Sequence, residues 1–180
     1  MSKTFPLLLA VFLSGCATTV TMPVSYQSQS FTNVSNVQAE LGKFTYLPYL
    51  RAEAKSNQIT NTALFGTIVI PDDVSTYVRR ATGIEFRKGG ARLENSNFVI
   101  RGEVIIFEAD DLGYSVDWNY SIKYTITNKL TGNEVFAKIY NAEPRNTGKF
   151  ALPADFIPII NLIILDCIEK FMADTQQFNF

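Results

Sequence analysis

Few side chains in this 180-residue chain can do chemistry, and none of them is a histidine. That removes every Ser-His-Asp and Cys-His constellation and every imidazole metal ligand. Two cysteines are present, Cys16 and Cys167. The other candidates are the carboxylates Glu103, Glu108, Asp110, Asp111 and Asp117. Held at a set separation in an apolar pocket, two carboxylates work as general acid and base. Gathered in a loop, they bind Ca²⁺. Nothing in their spacing indicates such a pocket, and the reading is solvated charge on a turn and a strand face. The chain has no GxGxxG, Walker phosphate loop, GxSxG, HExxH or CxxC. No catalytic, cofactor-binding or metal site is expected.

Cys16 has a distinctive context. Lys3 gives a short positive start, and Phe5 to Leu13 (FPLLLAVFL) is an apolar run. Nine residues at 1.5 Å rise cover only about 14 Å, less than half of a ~30 Å hydrocarbon core. The run therefore reads as a signal-peptide core rather than a transmembrane helix. It ends in Leu13-Ser14-Gly15-Cys16, which looks like a bacterial lipobox. Small residues at 14 and 15 admit a peptidase, and a thiolate is the nucleophile needed for a thioether to diacylglycerol. The expected covalent group is lipid on Cys16, with no other cofactor. Residue 17 is Ala rather than Asp, which by the sorting rule of enteric-type lipoproteins directs the chain to the outer membrane, facing the periplasm.

Three further groups invite a functional reading. Arg79, Arg80, Arg87, Lys88 and Arg92 form a basic cluster that could meet anionic headgroups or an acidic partner. Tyr114, Trp118, Tyr120 and Tyr124 could line a ligand groove, though such rings more often build a core. Cys167 lies in an apolar segment, where a free thiol is usually a small core hydrophobe. The overall charge of −1 gives no basic footprint for nucleic acid.

The elements follow from pattern. Residues 17–40 hold 13 Ser, Thr, Asn or Gln and no charge before Glu40. This composition reads as a tether, with an r.m.s. span of about 25–30 Å if flexible. The domain divisions are thus a signal peptide 1–15, the lipidated cysteine and tether 16–40, and one globular domain 41–180. Within the domain, Lys43 to Leu50 reads as a strand, 51–63 as loop, and Leu64 to Ile70 as a short extended segment. Asp72–Lys88 reads as a helix with an aspartate N-cap. Phe98–Glu108 is a strand. Tyr114, Val116, Trp118, Tyr120, Ile122, Tyr124 and Ile126 occupy every second position, which specifies a long half-buried strand. Glu134–Asn141 returns after a turn, closing a three-strand meander. Pro153–Thr175 is a helix over the sheet, regular from about Pro158. The fold class is α+β: an antiparallel sheet of about four strands packed against two helices.

The LSGC precursor end, the polar stretch, FVIRGEVIIF, YSVDWNYSIKYTI and the terminal helix ending FMADTQQF together resemble YajG-type bacterial lipoproteins. They are similar, more loosely, to auxiliary lipoproteins of ABC-type lipid-transport systems. The resemblance implies an α+β envelope protein without known catalysis, and carries over no functional residue except Cys16. The expected function is a membrane-anchored, non-enzymatic accessory or binding component of the envelope. It would have the membrane and an envelope protein as partners, with homo-oligomers open. The alternatives are a small-ligand or lipid-binding module with an apolar groove, and an envelope hydrolase using the carboxylates near 103–117.

Overall fold

The computed structural model describes residues 19–62, 67–148 and 152–178. The segment read as a signal peptide, the residues Leu13-Ser14-Gly15 read as a lipobox, and Cys16 lie outside the described residues. Among the described residues are eight strands and three helices: β1 (Thr19–Thr21), β2 (Glu40–Tyr46), α1 (Leu47–Leu50), β3 (Gln58–Asn61), β4 (Thr67–Val69), α2 (Val74–Lys88), β5 (Phe98–Asp110), β6 (Ser115–Asn128), β7 (Glu134–Asn141), β8 (Arg145–Gly148) and α3 (Pro153–Thr175). The class is α+β, as the pattern implies. The sheet is larger than the four strands expected, and it mixes parallel with antiparallel pairs.

The meander β5–β6–β7 is antiparallel throughout and forms the centre. Each edge of its long strands is shared by two short ones. β2 runs parallel to the first half of β5, and β3 runs parallel to its end, with Thr60 opposite Glu108. On the other side, β7 covers the second half of β6, and β8 covers its start. β4 pairs antiparallel with β3, and β1 runs parallel beside β4. The alternation is realised from Val116 onward: Val116, Trp118, Tyr120, Ile122, Tyr124 and Ile126 are buried beneath the helices, while Tyr114 precedes β6 and is exposed.

Both α2 and α3 cover this one face. Tyr124 stacks on Phe171 of α3 at 4.2 Å between ring centroids and hydrogen-bonds Thr82 of α2 at 2.9 Å. The Tyr77 hydroxyl of α2 meets the Asn161 side chain of α3. From α3, Ile160, Ile163, Ile164, Cys167, Ile168 and Phe171 are fully buried. Its regular path begins at Pro153, earlier than Pro158, because Asp155 accepts the Leu152 N–H at 2.8 Å and fixes the first turn. No helix among the described residues is long and apolar enough to cross a membrane.

Several local expectations are corrected. The strand read over Lys43–Leu50 runs instead over Glu40–Tyr46, and Pro48 falls in the first turn of α1, where its missing N–H costs nothing. Residues 58–61, read as loop, form β3. Asp73 stands at the N-cap of α2 without a side-chain cap bond. Gly83 lies within α2, and a Cβ there would lie 2.8 Å from Leu41 Cδ1, so the glycine lets α2 lie close against β2.

The largest correction concerns the polar stretch 17–40. From Thr19 onward it is packed, not a free tether. Met22, Val34 and Ala39 are fully buried, and Val24 and Val37 nearly so. These apolar residues are sparse, but each joins the hydrophobic core. The polar residues between them serve a buried acid. Glu85 of α2 is wholly inaccessible. Its carboxylate accepts from Tyr26 Oη at 2.8 Å, Ser28 Oγ at 2.9 Å, and the Gln29 and Ser30 backbone N–H groups at 3.1 and 3.2 Å. Four donors replace the water lost on burial.

Candidate functional site

The sequence-derived carboxylates are not brought into one site. Glu103 lies on the polar outer face of the sheet beside Arg101 and Lys123. Asp117 is exposed on β6 and accepts from Ser115 at 3.1 Å. Asp110 and Asp111 are tied to Thr62, whose hydroxyl lies 3.1 and 2.6 Å from their Oδ1 atoms and accepts the Asp111 N–H at 2.9 Å. They fasten the β5–β6 turn to the end of β3. No group of three or more metal-ligating side chains occurs among the described residues.

The aromatic set divides. Trp118, Tyr120 and Tyr124 are core, and Tyr114 is fully exposed. Phe156 packs on Trp118 at 5.3 Å, and Phe107 meets Tyr120 edge-on at 5.3 Å. The space expected as an apolar groove beneath α3 is therefore filled by rings. Burial raises the Tyr120 hydroxyl well above its ordinary pKa, and that hydroxyl has no hydrogen-bond partner among the described residues. Cys167 is buried, and desolvation, aided by Asp166, pushes its thiol up to about 12. At neutral pH it is a protonated core side chain, as its sequence context implies.

The basic cluster does form a surface feature. Arg79, Arg80 and Arg87 line a cleft of about 600 Å³ between α2 and the start of β2, with Leu41, Leu93 and Glu94 on the other wall. Helical spacing puts Arg79, Arg80 and Arg87 along this side. Their guanidiniums are engaged to different degrees. Arg79 donates to the Leu41 and Gly42 carbonyls, both at 2.8 Å, and so clamps β2. Arg80 pairs with Asp72 at 2.6 Å. Among the described residues Arg87 makes only a long contact, 3.5 Å, to the Gly83 carbonyl. It is the cation best placed to receive an anionic group. Lys88 faces elsewhere, 4.9 Å over the Phe31 ring. Sequence reasoning found the basic residues but missed the Glu85 cradle, because its donors come from the stretch that composition marks as unstructured.

No protein-family model matches this sequence, and no curated protein matches it. Solved structures do. The chain is similar to protein XCC0632 from Xanthomonas campestris, assigned to family model DUF330, with a TM-score of 0.62 and 13% identity over 89% of this chain and 98% of that one. It is also similar to hypothetical protein CT253 from Chlamydia trachomatis, with a TM-score of 0.51 and 8% identity over 79% and 96% of the two chains. A looser likeness, TM-score 0.37 and 10% identity over 75% and 90%, is to a minor lipoprotein from Acinetobacter baumannii. At these identities the first two establish a shared fold. Membership of the YajG type finds no support among them.

Proposed function

We propose that this protein is a lipid-anchored component of the bacterial envelope that binds an acidic partner and performs no reaction. The observation that carries the reading is the ordered series of Lys3, the apolar run to Leu13, and Leu13-Ser14-Gly15-Cys16. Lipid on Cys16 holds the chain, because two or three acyl chains give stable anchoring where one holds only marginally. Ala17 directs it to the outer membrane, on the periplasmic side. The fold shared with the DUF330 protein is consistent with the looser resemblance to auxiliary lipoproteins of lipid transport. Against a ligand carrier stands the filled space beneath α3; against a hydrolase stands the engagement of Asp110 and Asp111 by Thr62, which commits them to holding the β5–β6 turn.

The α2–β2 cleft supplies the binding surface, with Arg87 as its least committed cation. Labelling cells with radioactive palmitate tests the anchor: the wild-type chain takes up label, and Cys16→Ser does not. Label on Cys16→Ser overturns it. Crosslinking in intact cells tests the partner: a specific adduct forms with the wild-type chain and is lost in Arg87→Glu. Recovery of free monomer alone counts against a partner.

A further inference from the structure

The strand register places the beginning of the described chain at one end of the sheet. Thr19 opens β1 opposite Thr67, the start of β4. β4 is antiparallel to β3, and β3 ends beside Ala109 of β5. Asp110 faces Asp117 across the β5–β6 hairpin, and Ser115 faces Gly148 of β8. All these positions therefore share an end. The same end carries bare apolar side chains. Leu112 is 71% exposed, and Tyr114 is fully exposed, both in the β5–β6 turn. Leu152, before the first turn of α3, is 68% exposed. Leu112 is held outward, because its N–H bonds Asp110 Oδ1 at 3.1 Å within the Thr62-tied turn.

The length of chain beyond this end says what covers it. Only three residue steps separate Cys16 from Thr19. Fully extended they span at most about 11 Å, where a free 24-residue tether would have allowed about 25–30 Å. We infer that the sheet end bearing Leu112, Tyr114 and Leu152 seats on the lipid bilayer that holds Cys16, with these side chains in the headgroup region. The inference rests on the lipid-anchor reading of Cys16. Leucine and tyrosine suit that depth, one wholly apolar and one with a polar tip for the wet boundary. β5 rises along the sheet for roughly 40 Å at ~3.3 Å per residue. It carries the opposite end, with the Asn128–Asn133 turn and the basic cleft beside Glu40 and Asn95, away from the membrane. The arginines then meet a partner in the periplasm, not the headgroups of the anchoring bilayer.

Trp fluorescence tests this on full-length, processed protein in vesicles of phosphatidylethanolamine and phosphatidylglycerol with brominated acyl chains. Tyr114→Trp reports the seated end. Leu130→Trp, 75% exposed in the wild type at the opposite turn, reports the distal one. Buried Trp118 contributes the same background to both. Side chains in the interface lie ~5–10 Å deep, so emission from position 114 should be quenched at least about twofold more than emission from 130. Leu112→Trp should repeat the result. Equal quenching at 114 and 130, in protein whose mass shows the lipid and which floats with the vesicles, overturns the inference. Absence of lipid mass on Cys16 instead overturns the anchor reading, and this inference with it.

Discussion

Glu85 is the residue on which the N-terminal segment turns. Its carboxylate is buried and accepts four hydrogen bonds, all from residues 26–30. Glu85→Ala leaves the Tyr26 and Ser28 hydroxyls and two backbone donors without this acceptor, and should cost about 2–3 kcal/mol. A lowered urea midpoint with an unchanged slope is the expected signature. Tyr120 is the opposite case, since its hydroxyl is buried and unpartnered among the described residues. Tyr120→Phe removes that unsatisfied group while keeping the ring, and should stabilise by about 1 kcal/mol. A loss of stability in the same titration shows that the hydroxyl has a partner. The sequence distinguishes neither case: a glutamate in the middle of a helix and a tyrosine on an alternating strand look ordinary until their neighbours are placed.

At the scale of elements, legibility followed length. β6 runs for fourteen residues, long enough for a period of two to stand out, and α3 for twenty-three. β1, β3, β4 and β8 have three or four residues each, too few for any period to show, and they exist because longer neighbours offer them an edge. The joint between β7 and α3 shows how such elements are fastened. Asp174 of α3 pairs with Lys138 Nζ at 2.7 Å and accepts from Tyr140 Oη at 2.6 Å. Burial opposes its charge, but these two donors outweigh burial and hold its carboxyl below the ordinary 3.8. A lowered folded-state value means the contribution is complete above about pH 4 and fades as the pH falls through that lowered value. Asp174→Asn should therefore destabilise near neutrality and converge with the wild type in acid, the gap narrowing in salt because the pair is partly exposed. A gap that stays constant with pH in thermal melts excludes this role. A second joint is steric. Gly102 sits opposite Phe44, and a Cβ would lie 2.4 Å from its ring. Gly102→Ala should displace that ring from Tyr124, which it meets at 6.1 Å, and cost about 1–3 kcal/mol.

For the molecule as a whole, the decisive matter is where the domain begins. Composition alone starts it at 41, because residues 17–40 are polar and nearly uncharged. Composition measures how much apolar surface a stretch carries, not whether each apolar residue meets a slot or each polar one a buried partner. Here Met22, Val24, Val34 and Val37 are buried, and each such side chain is worth about 1.5–3 kcal/mol when removed from water. β1 also covers the outer edge of β4, which would otherwise present unpaired backbone groups. Summed over four side chains and combined with an unsatisfied Glu85, the loss is comparable to the ~5–15 kcal/mol that holds an ordinary domain together. A chain beginning at Gln38 should therefore fail to show a cooperative melt, whereas one beginning at Ala17 should unfold in a single transition by circular dichroism. The two outcomes bear on anchoring as well. If residues 19–37 are required for folding, they are not available to act as a flexible spacer, and a lipid on Cys16 would act on the orientation of the folded domain, not only on its location. Cooperative folding of the chain from Gln38 would restore the tether and release the domain from the bilayer.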